Sequence, residues 1–256
     1  MSPILEGQGL ALRFGAVRAL DDVSLALWPG EVVAIVGESG SGKSTLLRVL
    51  AGLTAPQSGQ VLYHDAEGAT QDVHALREAE RRVLMRRDWG FVHQNARDGL
   101  RMGVSAGGNI GERLMAAGGR HYGNIRTAAA EWMARVEMDP ARMDEAPRNF
   151  SGGMQQRLQI ARCLVTRPRL VFMDEPTGGL DVSVQARLLD LIRSLVAELG
   201  LAVLFVTHDI AAARLLAHRI VVMRHGRIVE EGLADRVLDD PQHPYTQLLV
   251  ASVLAA

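Results

Sequence analysis

Three short apolar runs and two segments with apolar residues at helical spacing dominate the hydrophobic pattern of this chain. The apolar runs lie within residues 31–36, 170–173 and 202–206, and the first of them is rich in β-branched residues. Short runs of this kind predict strands that are buried on both faces. Residues 43–53 and 182–199 instead repeat apolar positions at helical spacing. Buried strands that alternate with helices predict an α/β fold with a mainly parallel, doubly wound core sheet.

Other parts of the chain follow different patterns. Residues near the N-terminus alternate between polar and apolar positions and are broken by glycine and proline, which predicts antiparallel strands. A hairpin is expected within residues 220–232, turning at His225–Gly226. We therefore expect one domain over residues 1–256, divided as follows: an antiparallel β flap (1–30 and 59–65), a core (31–94 and 166–256) and an inserted helical subdomain (95–165).

Composition narrows the classes of protein that fit this pattern. The 256 residues are 48% hydrophobic and 22% charged with a net charge of −1, which is typical of a globular protein and unlike a nucleic-acid-binding surface. No apolar run reaches the roughly 20 residues needed to span a bilayer. Because Cys163 is the only cysteine, no intrachain disulfide can form, and we expect a cytoplasmic location.

The segment after the first predicted strand carries the strongest chemical motif. Residues 37–44 read GESGSGKS, which matches the G-x-x-x-x-G-K-[ST] phosphate loop, and a predicted helix follows. Backbone N–H groups of such a loop cradle phosphate oxygens, and the helix N-terminus adds partial positive charge. The alternative is a glycine-rich turn without a ligand. The predicted nucleotide-binding residues of this loop are Gly37, Glu38, Ser39, Gly40, Ser41, Gly42, Lys43, Ser44 and Thr45.

Lys43 is the only lysine among the 28 basic Lys and Arg residues of the chain. A compact ammonium on a flexible stem fits inside a loop wrapped around phosphate, whereas the planar guanidinium of arginine does not. We therefore expect Lys43 to contact the β- and γ-phosphates of ATP, and the Ser44 hydroxyl to ligate Mg²⁺.

Two later strands end in residues that suit phosphoryl chemistry. Asp174 and Glu175 follow the apolar run at 170–173, and His208 follows the run at 202–206. Ligands of open α/β sheets bind at the carboxyl ends of strands, so we expect Asp174 to hold Mg²⁺ and Glu175 to act as general base for the attacking water. His208 could hydrogen-bond the γ-phosphate. The alternatives are solvated acids at a strand end and a histidine that only packs in a turn.

Residues 150–157 read FSGGMQQR, which resembles the LSGGQ signature of ABC-type ATPases. The phosphate loop, the Asp174–Glu175 pair and His208 occur in the family's order, so the resemblance covers nearly the whole chain. It implies a P-loop NTPase fold of the ABC type that converts ATP and water to ADP and phosphate. Phe150, Met154 and Gly179 depart from the usual family pattern.

The resemblance also implies that two chains bind each ATP. In the family, the segment corresponding to Ser151, Gly152 and Gly153 is a second phosphate receptor that serves the partner chain, so we expect an ATP-dependent head-to-tail homodimer. Gln94 corresponds to the residue that contacts Mg²⁺ and the attacking water. Phe14 corresponds to the aromatic residue that stacks on adenine; the alternative is a phenylalanine buried in the flap.

Four segments bear on the partner that such an ATPase would bind. Residues 95–123, 150–156 and 177–183 resemble the ATP-binding subunit of the carbon–phosphorus (C–P) lyase system. This resemblance implies docking on the soluble core subunits of a phosphonate-degrading complex. Residues 239–246, DDPQHPYT, resemble the tail of peptide-importer ATPases, so a peptide- or nickel-type importer subunit is the alternative. A third class, an ABC protein that acts on nucleic acid, is disfavoured by the near-zero net charge.

Two surface features remain open to more than one interpretation. The glycine-rich stretch at 99–123 could be a flexible loop or a segment that folds against a partner. Five arginines on a predicted helix could form a solvated face or could contact an acidic partner. These are Arg77, Arg81, Arg82, Arg86 and Arg87.

Overall fold

The computed structural model describes residues 2–254, which divide into two units. The first unit is formed by the chain up to Arg81 and from Gly200 onward, and the second by Arg82–Leu199. Met1, Ala255 and Ala256, which the expected range 1–256 includes, lie outside the described residues. The expected boundaries of the flap, core and helical subdomain stay predictions, since the two units divide the chain elsewhere.

The helices and strands alternate along most of the chain. In chain order they are β1 (Leu5–Phe14), β2 (Val17–Leu27), β3 (Val32–Val36), α1 (Lys43–Leu50), β4 (Ser58–His64), β5 (Thr70–Asp72), α2 (Glu78–Arg87), β6 (Trp89–Val92), α3 (Ala96–Gly99), α4 (Ala106–Ala116), α5 (Tyr122–Arg135), α6 (Gly152–Leu164), β7 (Leu170–Asp174), α7 (Val182–Leu199), β8 (Ala202–Val206), α8 (Ile210–Leu216), β9 (Arg219–Arg224), β10 (Arg227–Leu233), α9 (Ala234–Asp239) and α10 (Pro244–Leu254).

The first unit contains an antiparallel sheet and four strands of a mainly parallel sheet. The antiparallel sheet has the order β2-β1-β4-β5, and its members pair only with antiparallel neighbours. The second sheet runs β10-β9-β3-β8 in this unit, with β3 parallel to both β8 and β9. All five residues of β3 are buried, as expected for a strand covered on both faces. The predicted α/β fold class is confirmed.

The β9–β10 hairpin turns where the sequence predicted. His225 has φ 48° and Gly226 has φ 78°, so both central residues are left-handed, as the primed turns of two-residue hairpins require. Gly226 donates its N–H to the carbonyl of Ser41 at 2.9 Å, which ties the turn to the phosphate loop.

The second unit pairs two parallel strands with the larger helices. Strands β6 and β7 align Trp89 with Leu170 and Val92 with Met173. Helix α6 presents buried residues on several sides, because it packs against α3, α4, α5, α7 and β6. Within residues 2–254, no helix combines the length and the hydropathy that a bilayer span needs.

The glycine-rich stretch is not a flexible loop, so that interpretation of residues 99–123 is wrong. Helix α4 occupies its centre, and the glycines of this helix allow close packing. A Cβ on Gly107 would lie 2.3 Å from Cγ of Met143, and one on Gly111 would lie 2.7 Å from Cγ2 of Ile125. Glycine therefore serves here to bring neighbouring segments near the α4 backbone.

Strand β6 approaches helix α6 so closely that Gly90 has no room for a side chain. An added Cβ would lie 2.2 Å from Sγ of the buried Cys163. We expect Gly90→Ala to lower the free energy of unfolding by about 1–3 kcal/mol through overpacking. Urea unfolding followed by circular dichroism measures the change.

A second substitution separates overpacking from a general effect of alanine. Cys163→Ala removes the clashing sulfur, so the Gly90→Ala/Cys163→Ala protein should lose less stability than the sum of the single changes. Gly103→Ala is the matched control, because among the described residues, its two chain neighbours aside, no atom lies within 4 Å of its added Cβ. Strict additivity of the two changes would contradict the packing argument.

Candidate functional site

The phosphate loop of the first unit depends on glycines in unusual backbone conformations. Gly37, Gly40 and Gly42 have φ of 148°, 81° and 105°. A Cβ on Gly37 would lie 2.3 Å from the carbonyl oxygen of Met223, and one on Gly42 would lie 2.3 Å from that of Ala19. Both the torsion and the space at these two positions therefore exclude a larger residue.

Lys43 lies at the centre of this loop and begins helix α1. Its Nζ donates to the carbonyl oxygens of Gly37 and Glu38, each at 2.8 Å, and the residue is 5% exposed. Ser44 and Thr45 follow in the first turn of the helix and are half-buried. The ammonium is thus enclosed by the backbone that precedes it, and its contact with phosphate stays a prediction.

The first part of the loop forms a hydrogen bond with a residue near the C-terminus. The backbone N–H of Glu38 donates to the hydroxyl oxygen of Tyr245 at 2.9 Å. Sequence analysis gave Tyr245 no role, although it lies in the tail segment 239–246 that drew attention for its resemblance. The structure shows why it has one: Tyr245 is 9% exposed, and a buried tyrosine hydroxyl needs a hydrogen-bond partner.

Phe14 and His208 also belong to the first unit, and both are exposed. Phe14 ends strand β1 beside the tight turn at Gly15 and is 56% exposed, so the alternative of a phenylalanine buried in the flap is wrong. His208 lies between β8 and α8, directly before Asp209, whose carboxylate caps α8 by accepting from Ala211 and Ala212. Both side chains are accessible to a ligand.

In the second unit, the structure brings two of the predicted residues together. Strand β7 ends at Asp174, and Glu175 follows with φ 44°, a conformation that is uncommon outside glycine. The side-chain Nε2 of Gln94 donates to Oε2 of Glu175 at 2.8 Å. This hydrogen bond fixes the orientation of the Glu175 carboxylate, although the two residues are far apart in sequence.

The signature segment forms the start of helix α6 in the second unit. Ser151 is the N-cap and accepts from the N–H of Met154, while Gly152 and Gly153 lie in the first turn. The helix therefore begins at Gly152, directly after its cap. Gly153 cannot be larger, because its Cβ would lie 2.7 Å from Cγ1 of Val184 on α7. Ser151 and Gly152 are exposed, so the N-terminus of α6 is open to an anion.

Two buried glutamines connect this helix to the segment that carries Gln94. Gln159 accepts from the N–H of His93 at 2.7 Å, and the side-chain amides of Gln156 and Gln159 donate to its carbonyl at 3.2 and 3.1 Å. Sequence analysis missed both glutamines. Their signal was a pair of amides three residues apart on an otherwise apolar face of α6.

Comparison with known proteins decides what this arrangement is. A sequence profile described as "ABC transporter" matches residues 20–178, which include the phosphate loop, the signature segment and Glu175. The chain belongs to the ABC transporter family. The predicted ATPase class is thereby confirmed, since the ATP-binding domain of this family hydrolyses ATP.

Individual relatives of this ABC ATPase cover most of its length. It is 61% identical over 252 residues to the "Putative phosphonates utilization ATP-binding protein PhnK" of Escherichia coli (strain K12), and the alignment spans 98% of both proteins. It is 39% identical over 262 residues to a "Putative peptide import ATP-binding protein" of Brucella melitensis, spanning 98% of this chain and 78% of the relative.

A solved structure gives the same fold. A dimeric ATP-binding cassette in a post-hydrolysis state, bound to ADP and Pi, superimposes with a TM-score of 0.79 at 30% identity. The match covers 90% of this chain and 98% of the cassette. The ABC ATPase thus shares the cassette fold.

Proposed function

We propose that this chain is the ATP-hydrolysing subunit of a phosphonate-degrading C–P lyase system and that it binds ATP at residues 37–45. The observation that carries the proposal is the 61% identity to PhnK over 98% of both proteins. The loop geometry supports the choice of site, because the glycine torsions and the enclosed Lys43 ammonium suit a triphosphate. Backbone N–H groups at the start of α1 would bind phosphate oxygens.

Hydrolysis requires a water activated for attack on the γ-phosphorus. In the proposed reaction, water adds to the γ-phosphorus, the bond to the β-phosphate oxygen breaks, and ADP leaves with phosphate. Glu175 accepts the proton of the water, and the amide of Gln94 keeps its carboxylate oriented through the 2.8 Å hydrogen bond. His208 contributes a hydrogen bond to the γ-phosphate.

The proposed reaction also uses Mg²⁺, which prefers oxygen ligands and phosphate. The residues proposed to hold the ion are Ser44, Gln94 and Asp174, a hydroxyl, an amide oxygen and a carboxylate. When bound, Mg²⁺ neutralises charge on the phosphate oxygens.

The second part of the proposal is an ATP-dependent homodimer. The exposed N-terminus of α6, at Ser151 and Gly152, would receive the phosphates of ATP held by the partner copy. Phe14 is exposed at the end of β1, as a side chain that stacks on adenine must be. The dimeric state of the matching cassette supports this arrangement.

The third part is docking on soluble enzyme subunits in the cytoplasm. The segment 95–123, which resembles C–P lyase ATPases, contains α3 and α4 and ends at the start of α5. Helices α4 and α5 border a cavity of about 240 Å³. Met115 and Tyr122 beside it are 55% and 72% exposed, and such apolar exposure is typical of a protein-binding surface. A peptide-type importer subunit is the second candidate, and the 39% identity to the Brucella relative favours it.

Lys43 supplies the first test of the ATP site. We expect Lys43→Ala to weaken ATP binding by about 10- to 100-fold, because a hydrogen bond to a charged group contributes about 1.5–3 kcal/mol. Lys43→Arg should also bind weakly, since the planar guanidinium does not fit between the two carbonyls. Equilibrium binding of a fluorescent ATP analogue gives the affinity.

Arg48→Ala is the matched control for this measurement. It removes an exposed cation from the same helix, outside the loop, and should leave ATP affinity unchanged. An unchanged affinity of the Lys43→Ala protein would show that ATP binds elsewhere.

Glu175 supplies the test of the proposed chemistry. Glu175→Gln retains the shape of the side chain and cannot accept a proton, so we expect ATP binding to persist while turnover falls about 10²- to 10⁴-fold. The closed dimer should then accumulate with ATP. Phosphate release gives the rate, and size-exclusion chromatography with and without ATP gives the oligomeric state.

Glu67→Gln is the control, because it removes an exposed carboxylate from a loop. Turnover near that of the unchanged protein would exclude Glu175 as the base.

The partner is tested by affinity purification of the tagged chain from its native source. We expect soluble phosphonate-degrading subunits to co-purify without detergent. Tyr122→Ala should reduce their recovery and leave ATP hydrolysis unchanged, because this exposed ring lies beside the proposed docking cavity. Recovery of an integral membrane protein that requires detergent would instead favour the importer.

A further inference from the structure

Tyr245 contacts the phosphate loop from a segment beyond the residues matched by the family profile. Its hydroxyl oxygen accepts from the N–H of Glu38 at 2.9 Å. The ring is 9% exposed, and the guanidinium of Arg224 lies 4.8 Å from its centroid, within the range of a cation–π interaction. Both the ring and the hydroxyl are therefore held in place.

The hydrogen bond acts on the same peptide group that holds Lys43. The carbonyl of Gly37 and the N–H of Glu38 form one planar unit. That carbonyl accepts from Nζ of Lys43 at 2.8 Å, while the N–H donates to Tyr245. Rotation of this unit would break both hydrogen bonds, so Tyr245 stabilises the orientation that holds the ammonium.

Glycine makes this restraint necessary. Gly37 has φ 148°, a region that residues with a side chain rarely adopt, and glycine has more alternative conformations than any other residue. The peptide group that follows Gly37 thus has a large conformational freedom, and a fixed hydrogen-bond partner on its N–H removes part of it.

Tyr245 is itself positioned by a carboxylate on strand β10. The two oxygens of Glu230 accept from the N–H groups of Gln242 and His243 at 2.8 and 3.0 Å. The N–H of Tyr245 donates to Nδ1 of His243 at 3.1 Å. Burial alone would raise the pKa of Glu230, but its hydrogen bonds outweigh burial and lower the pKa, so the carboxylate stays ionised and keeps the segment in place.

We propose that Tyr245 is a positioning residue of the phosphate loop, which acts through the Gly37–Glu38 peptide group to hold Lys43 in place for the triphosphate. The inference rests on the proposal that ATP binds this loop. It assigns the tail segment a role in nucleotide affinity.

Tyr245→Phe tests the inference, because it removes the hydroxyl and keeps the ring over which Arg224 lies. We expect the Kd and KM for ATP to rise about 3- to 10-fold, as for the loss of one hydrogen bond, with kcat within twofold. Titration of the sites should still count one per chain. Glu230→Gln should raise the Kd by a smaller factor, since an amide oxygen can accept only part of the hydrogen bonds of the carboxylate.

Two comparisons make the outcome decisive. Tyr63→Phe removes the hydroxyl of another buried tyrosine, on strand β4, and should leave the Kd for ATP unchanged even where it lowers the melting temperature.

If Tyr245→Phe lowers the number of active sites while those that remain bind ATP with unchanged affinity, the residue is only structural and the inference is wrong. If Lys43→Ala weakens binding and Tyr245→Phe does not, the inference fails and the loop assignment stands. If neither change weakens binding, the loop assignment itself fails.

Discussion

The site depends on one ammonium group that is held by the carbonyls of Gly37 and Glu38. A buried cation without partners would be strongly destabilising, so the loop must present its carbonyl oxygens toward the side chain that follows it. The glycines at 37 and 42 have a separate cause, because an added Cβ would lie 2.3 Å from the carbonyl oxygen of Met223 or of Ala19. When a triphosphate enters such a loop, the same ammonium can exchange carbonyl partners for phosphate oxygens, which carry more negative charge.

The surroundings of the loop follow from the same requirement. A loop built on glycine has many alternative conformations, so contacts from outside the motif must select one. The hairpin turn supplies one contact, from Gly226 to Ser41, and the tail supplies another, from Tyr245 to Glu38. Both contacts are made by residues beyond 178, where the family profile ends. The part of the chain outside the profile thus contributes to the conformation of the motif inside it.

The features predicted from the sequence are those that adjacent residues determine. The strands predicted at 31–36, 170–173 and 202–206 match β3, β7 and β8 within one residue, because an uninterrupted apolar run suffices to bury a strand on both faces. The phosphate loop was predicted for the same reason, because its motif lies within the consecutive residues 37–44. Helix α1 is shorter than the predicted segment 43–53. It ends at Leu50, and Gly52 follows with φ 68°, so the spacing of apolar residues alone did not predict where the helix ends.

The features that the sequence did not predict depend on partners far away in the chain. Tyr245 and Glu38 are 207 residues apart, and Gln159 and His93 are 66 apart, so no local pattern relates them. The glycines of α4 have the composition of a loop, and only the positions of Met143 and Ile125 reveal that they permit close packing. In this chain glycine therefore has two opposite uses: it gives the phosphate loop its torsions, and it allows α4 to pack tightly. Composition cannot distinguish these uses, because the difference lies in the neighbouring atoms.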